Sequence, residues 1–266
     1  MTVHFIGAGP GAVPLLTVHL LVLGGTAEAR RLAAVLAGTP GLRVTTSLAG
    51  RVAAPPVPES QVRIGGFGGV EGLCGWLRAH DVAAVVDATH PFAPRMTAHA
   101  AAATARLGVP LLVLRRRGWA DRATPDWTWV GSLAEAAAVL PGLGSRAFLT
   151  TGRVDLAAFA HLHDLWFLAR SVDPPTPPVP PHLHVLLDRG PFTVAGETAL
   201  LREHRIDVLV TKDSGGDMTA AKLDAAAALD VPVVIQARPP LPPGVDAVPT
   251  VQDAARWVLA LRAGAG

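Results

Sequence analysis

The sequence predicts an α/β protein in which each domain is a mainly parallel sheet flanked by helices, and three observations carry that expectation. From Val18 onward, short runs rich in β-branched residues alternate with helical stretches of about ten to fifteen residues, the pattern of parallel strands joined by crossover helices. The chain has 266 residues, enough for two domains of ordinary size, and half of them are apolar. Gly, Pro or charge interrupts every apolar run before the length of about eighteen residues at which a helix spans a membrane.

The stretch around which the first domain is organised is LLVLGGTAEAR, Leu21 to Arg31. Four apolar residues form a buried strand, Gly24 and Gly25 make the turn, and Thr26 supplies the N-cap of a helix with Glu28 in its first turn. Backbone N–H groups and the positive end of a helix dipole then point at one spot, which suits a phosphate. Such a turn also serves as an ordinary tight βα connection, and it does not match the G-x-G-x-x-G fingerprint.

In order along the chain, the helix of Ala27 to Ala37 leads to strand LRVTTSL and a Pro-rich turn. Strand QVRIGG, helix VEGLCGWLRAH, strand VAAVVDAT, helix PRMTAHAAAATARLG and strand VPLLVLR follow. The interruption RRRGWADRATPDW, Arg115 to Trp127, marks a domain boundary. Beyond it come helix SLAEAAAVL, strand RAFLTTG, helix VDLAAFAHLH and strand LWFLAR, and the Pro-rich DPPTPPVPP is an extended loop. Helix GETALLREH, strand IDVLVTKD, helix GDMTAAKLDAAAALD, strand VPVVIQ and helix VQDAARWVLALRA complete the chain. The expected division is 1–17 as an extension, 18–116 as a nucleotide-binding domain and 117–266 as a second, substrate-binding domain.

Composition narrows the function classes. The formal charge of +2 gives no support to a nucleic-acid partner, and no segment reads as a membrane span. The single cysteine, Cys74, excludes an internal disulfide framework and reads as a buried thiol, which fits a reducing cytoplasm. No Cys or second His stands at metal-ligand spacing from His90, so no metal is expected.

Ligands of open α/β sheets sit at the carboxyl ends of the strands. The residues there are rich in Gly, hydroxyls and basic groups and poor in carboxylates, which suits a polyanionic cofactor and an anionic substrate. Gly24, Gly25, Thr26, Ser47, Arg51, Gly66 and Thr89 are the cofactor candidates. Ser47 and Arg51 stand where an acidic residue would hold a ribose 2′-hydroxyl, and no acid occurs between Arg30 and Glu59, which favours NADPH; Arg51 also reads as an ordinary solvated loop arginine. His90, held between Ala88-Thr89 and Pro91, is the candidate proton donor. Arg153, Arg170, Lys212 and Arg95, with Ser214 and Gly215, are candidates for binding substrate carboxylates. With no tyrosine in the chain, a Tyr-Lys proton relay is excluded.

The motifs GGTAEAR, SLAGR, RIGGFGG, DATHPFA, LTTG, GPF with Glu197, VTKDSGG with Lys222 downstream, and VPVVIQARP resemble, in order, the precorrin-6A reductases of cobalamin biosynthesis. The resemblance runs from Val18 to the C-terminus. It implies two Rossmann-like domains with a cleft between them, and NADPH-dependent reduction of one double bond of a corrin precursor. It further implies a tetrapyrrole substrate, a cytoplasmic location and contacts with other enzymes of the corrin pathway. An NADH-dependent reductase of the cobalt-containing precorrin and a non-catalytic nucleotide-binding regulatory protein are the alternatives. Residues 1–17 carry Gly7-Ala8-Gly9-Pro10-Gly11-Ala12 and resemble the start of a precorrin-4 methyltransferase, but only Val13 to Thr17 separate that turn from the next strand, too few for a crossover helix. They are expected to be an extension from an upstream start codon. Deleting Met1 to Thr17 should therefore leave activity and melting temperature nearly unchanged, and a large fall in melting temperature would show that the segment is structural.

Overall fold

The computed structural model describes residues 17–49 and 61–264. The chain divides into two compact units, Met1–Arg115 with Leu241–Gly266, and Arg116–Pro240.

In the first unit β1 (Val18–Leu23) is followed by α1 (Ala27–Leu36), β2 (Leu42–Leu48), β3 (Gln61–Ile64), α2 (Gly69–Ala79), β4 (Val82–Asp87), α3 (Pro94–Leu107) and β5 (Leu111–Leu114). The strand VHLLVL is buried along its whole length, as a strand covered on both faces must be. One face packs Leu20 and Val22 against α1 through Ala29, Leu32 and Leu36. The opposite face packs Leu21 and Leu23 against Leu73, Cys74 and Leu77 of α2 and Ala100 and Ala103 of α3. Cys74 is buried there.

The second unit runs through β6 (Trp127–Val130), α4 (Leu133–Val139), β7 (Arg146–Leu149), a 3₁₀ helix (Arg153–Phe159), β8 (Trp166–Ser171), β9 (Leu183–Leu187), α5 (Val194–Glu203), β10 (Val208–Lys212), α6 (Ala221–Ala228) and β11 (Val233–Gln236). The chain then continues into β12 (Asp246–Val248) and α7 (Val251–Gly264). Two sheets of six strands result, ordered β12-β5-β4-β1-β2-β3 and β6-β11-β10-β7-β8-β9, and every observed pairing is parallel. No helix among the described residues is long and apolar enough to cross a membrane.

Three features differ from the sequence expectation. The second domain does not extend from 117 to 266: β12 pairs with β5, and α7 packs Val251, Ala254, Ala255 and Val258 onto the same face as α1. The segment Pro239-Pro240-Leu241-Pro242-Pro243 cannot continue a strand or helix and carries the chain away from β11. Second, VDLAAFAHLH is a 3₁₀ helix ending at Phe159 rather than a long α-helix. Third, β6, β9 and β12 are additional short strands, each at a sheet edge. Residues 1–16, which hold most of the expected extension, lie outside the described residues.

At the amino ends of the first sheet, His19 is buried. Its Nδ1 lies 2.7 Å from His80 O and 2.8 Å from Arg43 Nη2, and its Nε2 lies 2.8 Å from Thr45 Oγ1, so Nδ1 either donates to the carbonyl or accepts from the guanidinium and Nε2 takes the complementary role toward the hydroxyl. Burial holds its pKa below the usual 6.5, the Arg43 charge adds to the effect, and the bond to His80 opposes it. The unfolded chain therefore binds the proton first, so the stability linked to His19 is full above about pH 6.5 and is lost as pH falls through the folded pKa. Melting temperature should fall less steeply below about pH 6.5 in His19→Gln than in the parent, and parallel pH profiles would refute the linkage.

Candidate functional site

The strand order of the first sheet reverses at β1. From β1 the chain steps through α1 to β2 and on to β3, then returns through α2 to β4 on the other side of β1. The turn Gly24-Gly25 sits at this reversal, between the ends of β2 and β4, where open α/β sheets hold their ligands. A Cβ on Gly24 would come within 3.0 Å of Thr46 Cγ2, whereas one on Gly25, at φ +115°, would meet nothing within 4 Å. The turn is thus closely packed below and open above, the shape needed for a ligand phosphate to approach the backbone.

Thr26 is a positioning residue here. Its Oγ1 accepts from Ala29 N at 3.1 Å, capping α1, and donates to Ala88 O at 2.7 Å, tying the turn to the end of β4. Thr89 is likewise engaged, since its N–H and hydroxyl both bond Asp87 Oδ1, at 3.0 and 2.7 Å. The other oxygen, Asp87 Oδ2, has no hydrogen-bond partner among the described residues although Asp87 is only 1% exposed. A buried carboxylate oxygen in that state is costly unless a ligand donates to it.

On β2, Ser47 is buried and in register with Leu23 on one side and Arg63 of β3 on the other. The Arg63 guanidinium donates to Ser47 Oγ at 3.3 Å, to Gly66 O at 2.7 Å and to Gly65 O, and lies 3.8 Å above the centre of the Phe67 ring. Gly66 therefore contributes a carbonyl to this latch. Arg51 lies outside the described residues. Asp87 and Arg63 were not among the sequence candidates, which after β3 and β4 begin at Gly66 and Thr89, beyond the last residues of those strands.

His90 is exposed in the loop after β4. Its Nδ1 accepts from Phe92 N at 3.2 Å, which assigns the proton of the neutral ring to Nε2.

The second sheet reverses between β7 and β10, and its candidates gather there. Thr150 continues the pairing of β7 with β10 through N and Oγ1, both donating to Val210 O. Thr151 follows, buried, with Oγ1 unpartnered among the described residues. Lys212 Nζ meets Asp155 Oδ2 at 2.5 Å. Arg153 is 3.6 Å from Asp173 in a half-exposed pair.

The Ser214-Gly215 segment is held from below. Asp213 accepts from Trp119 N at 2.8 Å and from Arg238 Nε at 3.1 Å, while Arg116 Nε donates to Ser214 O at 2.7 Å and Gly215 O at 3.1 Å. A Cβ on Gly215 would stand 2.1 Å from Arg117 O, and its φ is +68°, so only glycine fits.

Arg170 does not reach a surface carboxylate site. It forms a bidentate pair with Glu197, Nη1–Oε1 2.5 Å and Nη2–Oε2 3.2 Å, with both side chains almost fully buried and the guanidinium 3.6 Å above the centre of the Phe192 ring. Near this pair, Lys222 is buried with Nζ donating to Thr219 O at 2.8 Å and facing the Trp119 ring. Burial, then repulsion from Arg170, lower its pKa to about 7, and Glu197 opposes the shift.

Comparison with known proteins agrees with this architecture. The family model described as Precorrin-6x reductase CbiJ/CobK matches residues 19–259. A precorrin-6A reductase of Rhodococcus erythropolis is 58% identical over 240 residues, covering 90% of this chain and 97% of that protein. One from Mycobacterium tuberculosis is 56% identical over 246 residues, covering 91% and 98%. A solved structure of CobK precorrin-6A reductase superposes with a TM-score of 0.83 at 43% identity, covering 92% of this chain and 97% of its own. With the match running from the first core strand into the last helix, the chain belongs to the precorrin-6x reductase CbiJ/CobK family.

Proposed function

We propose that this chain uses NADPH to reduce one carbon–carbon double bond of precorrin-6A in cobalamin biosynthesis. The observation that carries the reading is the open glycine turn at the strand-order reversal of the first sheet, in a chain that belongs to a reductase family.

The residues around that turn fit a dinucleotide. Gly24 and Gly25 admit a pyrophosphate against the N-terminus of α1, which Thr26 orients by its bonds to Ala29 and Ala88. Ser47 stands at the end of β2, where the adenosine ribose is held in this topology, and among the described residues no carboxylate there favours a bare 2′-hydroxyl. Asp87 Oδ2 supplies an acceptor for a ligand hydroxyl or amide on the β4 side, with Thr89 fixing the carboxylate. When bound, the nicotinamide supplies the hydride for one carbon of the double bond. The neighbouring carbon takes a proton.

His90 is the side chain assigned to that side of the reaction. With Nδ1 accepting from Phe92 N, its neutral ring carries the proton on Nε2, and becoming an imidazolium would break the Phe92 bond. Its role is accordingly to orient the substrate, with water or the substrate itself delivering the proton. The second unit binds the tetrapyrrole rim through Lys212, Arg153, Ser214 and the Gly215 turn. Buried Arg170 supports this region from within rather than touching substrate.

Lys212→Ala should weaken tetrapyrrole binding by about ten- to a hundredfold, the effect of losing a hydrogen bond to a charged group, and leave NADPH affinity almost unchanged. Parallel titrations with the two ligands check this. A matched loss for both would mean that the Lys212–Asp155 pair only holds the loop.

A further inference from the structure

Among the described residues Arg63 is a cation without a counter-ion. Its guanidinium is half-buried at the end of β3, its recorded acceptors are the hydroxyl of Ser47 and the carbonyls of Gly65 and Gly66, and among the described residues no carboxylate pairs with it. Two more deeply buried arginines show the contrast, as Arg170 meets Glu197 and Arg238 meets Asp213. Burial lowers the Arg63 pKa. A guanidinium desolvated against neutral oxygens alone gains most from an anion that can approach its remaining N–H groups.

Its position identifies that anion. Arg63 is the cross-strand partner of Ser47, one strand farther from the glycine turn, on the side of β1 that carries the ribose of the adenosine half. Ser47 Oγ accepts from Arg63, which leaves the hydroxyl proton able to donate, and the glycine-rich segment from Gly65 to Gly69 after β3 has its first carbonyls fixed by the same guanidinium. Two donors, one charged and one neutral, are thereby presented together where a 2′-phosphate would lie.

We propose that Arg63, together with Ser47, is the specificity determinant that recognises the 2′-phosphate of NADPH. The assignment rests on the NADPH reading above and adds to it a residue in strand β3.

The test is a pair of equilibrium titrations, NADPH and NADH, on the full-length parent, Arg63→Gln and Ser47→Ala. In the parent NADPH should bind more tightly. In Arg63→Gln the NADPH affinity should drop about ten- to a hundredfold, with NADH affinity within about twofold of the parent, because a hydrogen-bonded charge is lost only for the phosphorylated ligand. Ser47→Ala leaves the bonds from Arg63 to Gly65 and Gly66 in place and should cost NADPH several-fold and NADH nothing. It decides the matter if the Arg63 variant does not fold. Discrimination that survives in both variants overturns the assignment while leaving NADPH as the cofactor. A parent that binds the two cofactors equally overturns the NADPH reading and this assignment with it.

Discussion

Parallel pairing is the constraint on which the rest of the molecule depends. A strand can reach a parallel neighbour only by a crossover of a dozen or more residues, which places helices over both faces of each sheet and makes the strands apolar throughout. It also forces the chain to reverse direction across the sheet once its strands are laid on both sides of the first. The two reversals, at β1 and between β7 and β10, are where neighbouring loops diverge and leave the strand ends accessible to a ligand. Thr26 shows how narrowly the first is held, since a single hydroxyl caps α1 and ties it to the end of β4.

The same constraint explains what could be read from the residues alone. Long, apolar, β-branched runs such as VHLLVL, VAAVVD and VLVTK are buried on both faces, so their identity as strands was plain from composition, and the helices between them followed from apolar periodicity. Strands β6, β9 and β12 were not, because edge strands of three to five residues bury only part of their surface and their sequences, WTWV, LHVLL and DAV, lack the run of apolar residues. The return of β12 and α7 to the first unit was equally hidden. Sequence order says that they follow β11, and only packing shows that Val251, Ala254 and Val258 complete the face begun by α1.

For the site, position was legible but partnership was not. Gly24, Gly25 and Ser47 lie where the strand-end rule places them. Thr26 and Thr89 lie there too, yet their hydroxyls face protein acceptors, a fact set by side-chain rotamers that no spacing reveals. Asp87 and Arg63 are the opposite case. They lie in the final residues of β4 and β3, within the runs VAAVVDAT and QVRIGG that the sequence marks as strand, and so do not count as loop positions.

Charge pairing then sorts the cations of the second unit. Read from the sequence, Arg153, Arg170 and Lys212 were equivalent donors, but each has an internal carboxylate, and a substrate carboxylate must compete with it. For the half-exposed Arg153–Asp173 contact at 3.6 Å the competition favours the incoming carboxylate, because an exposed pair contributes about 0–1 kcal/mol whereas a new hydrogen bond to a charged group contributes about 1.5–3 kcal/mol. For Arg170–Glu197 it is lost, since separating a buried pair costs about 3–5 kcal/mol. Lys212–Asp155 lies between, with side chains 14% and 25% exposed, so the proposed substrate carboxylate would compete with a pair partly open to water. Exposure of the internal acid, rather than placement at a strand end, therefore separates the cations open to partner exchange, as the proposed substrate role requires, from one fixed in the framework.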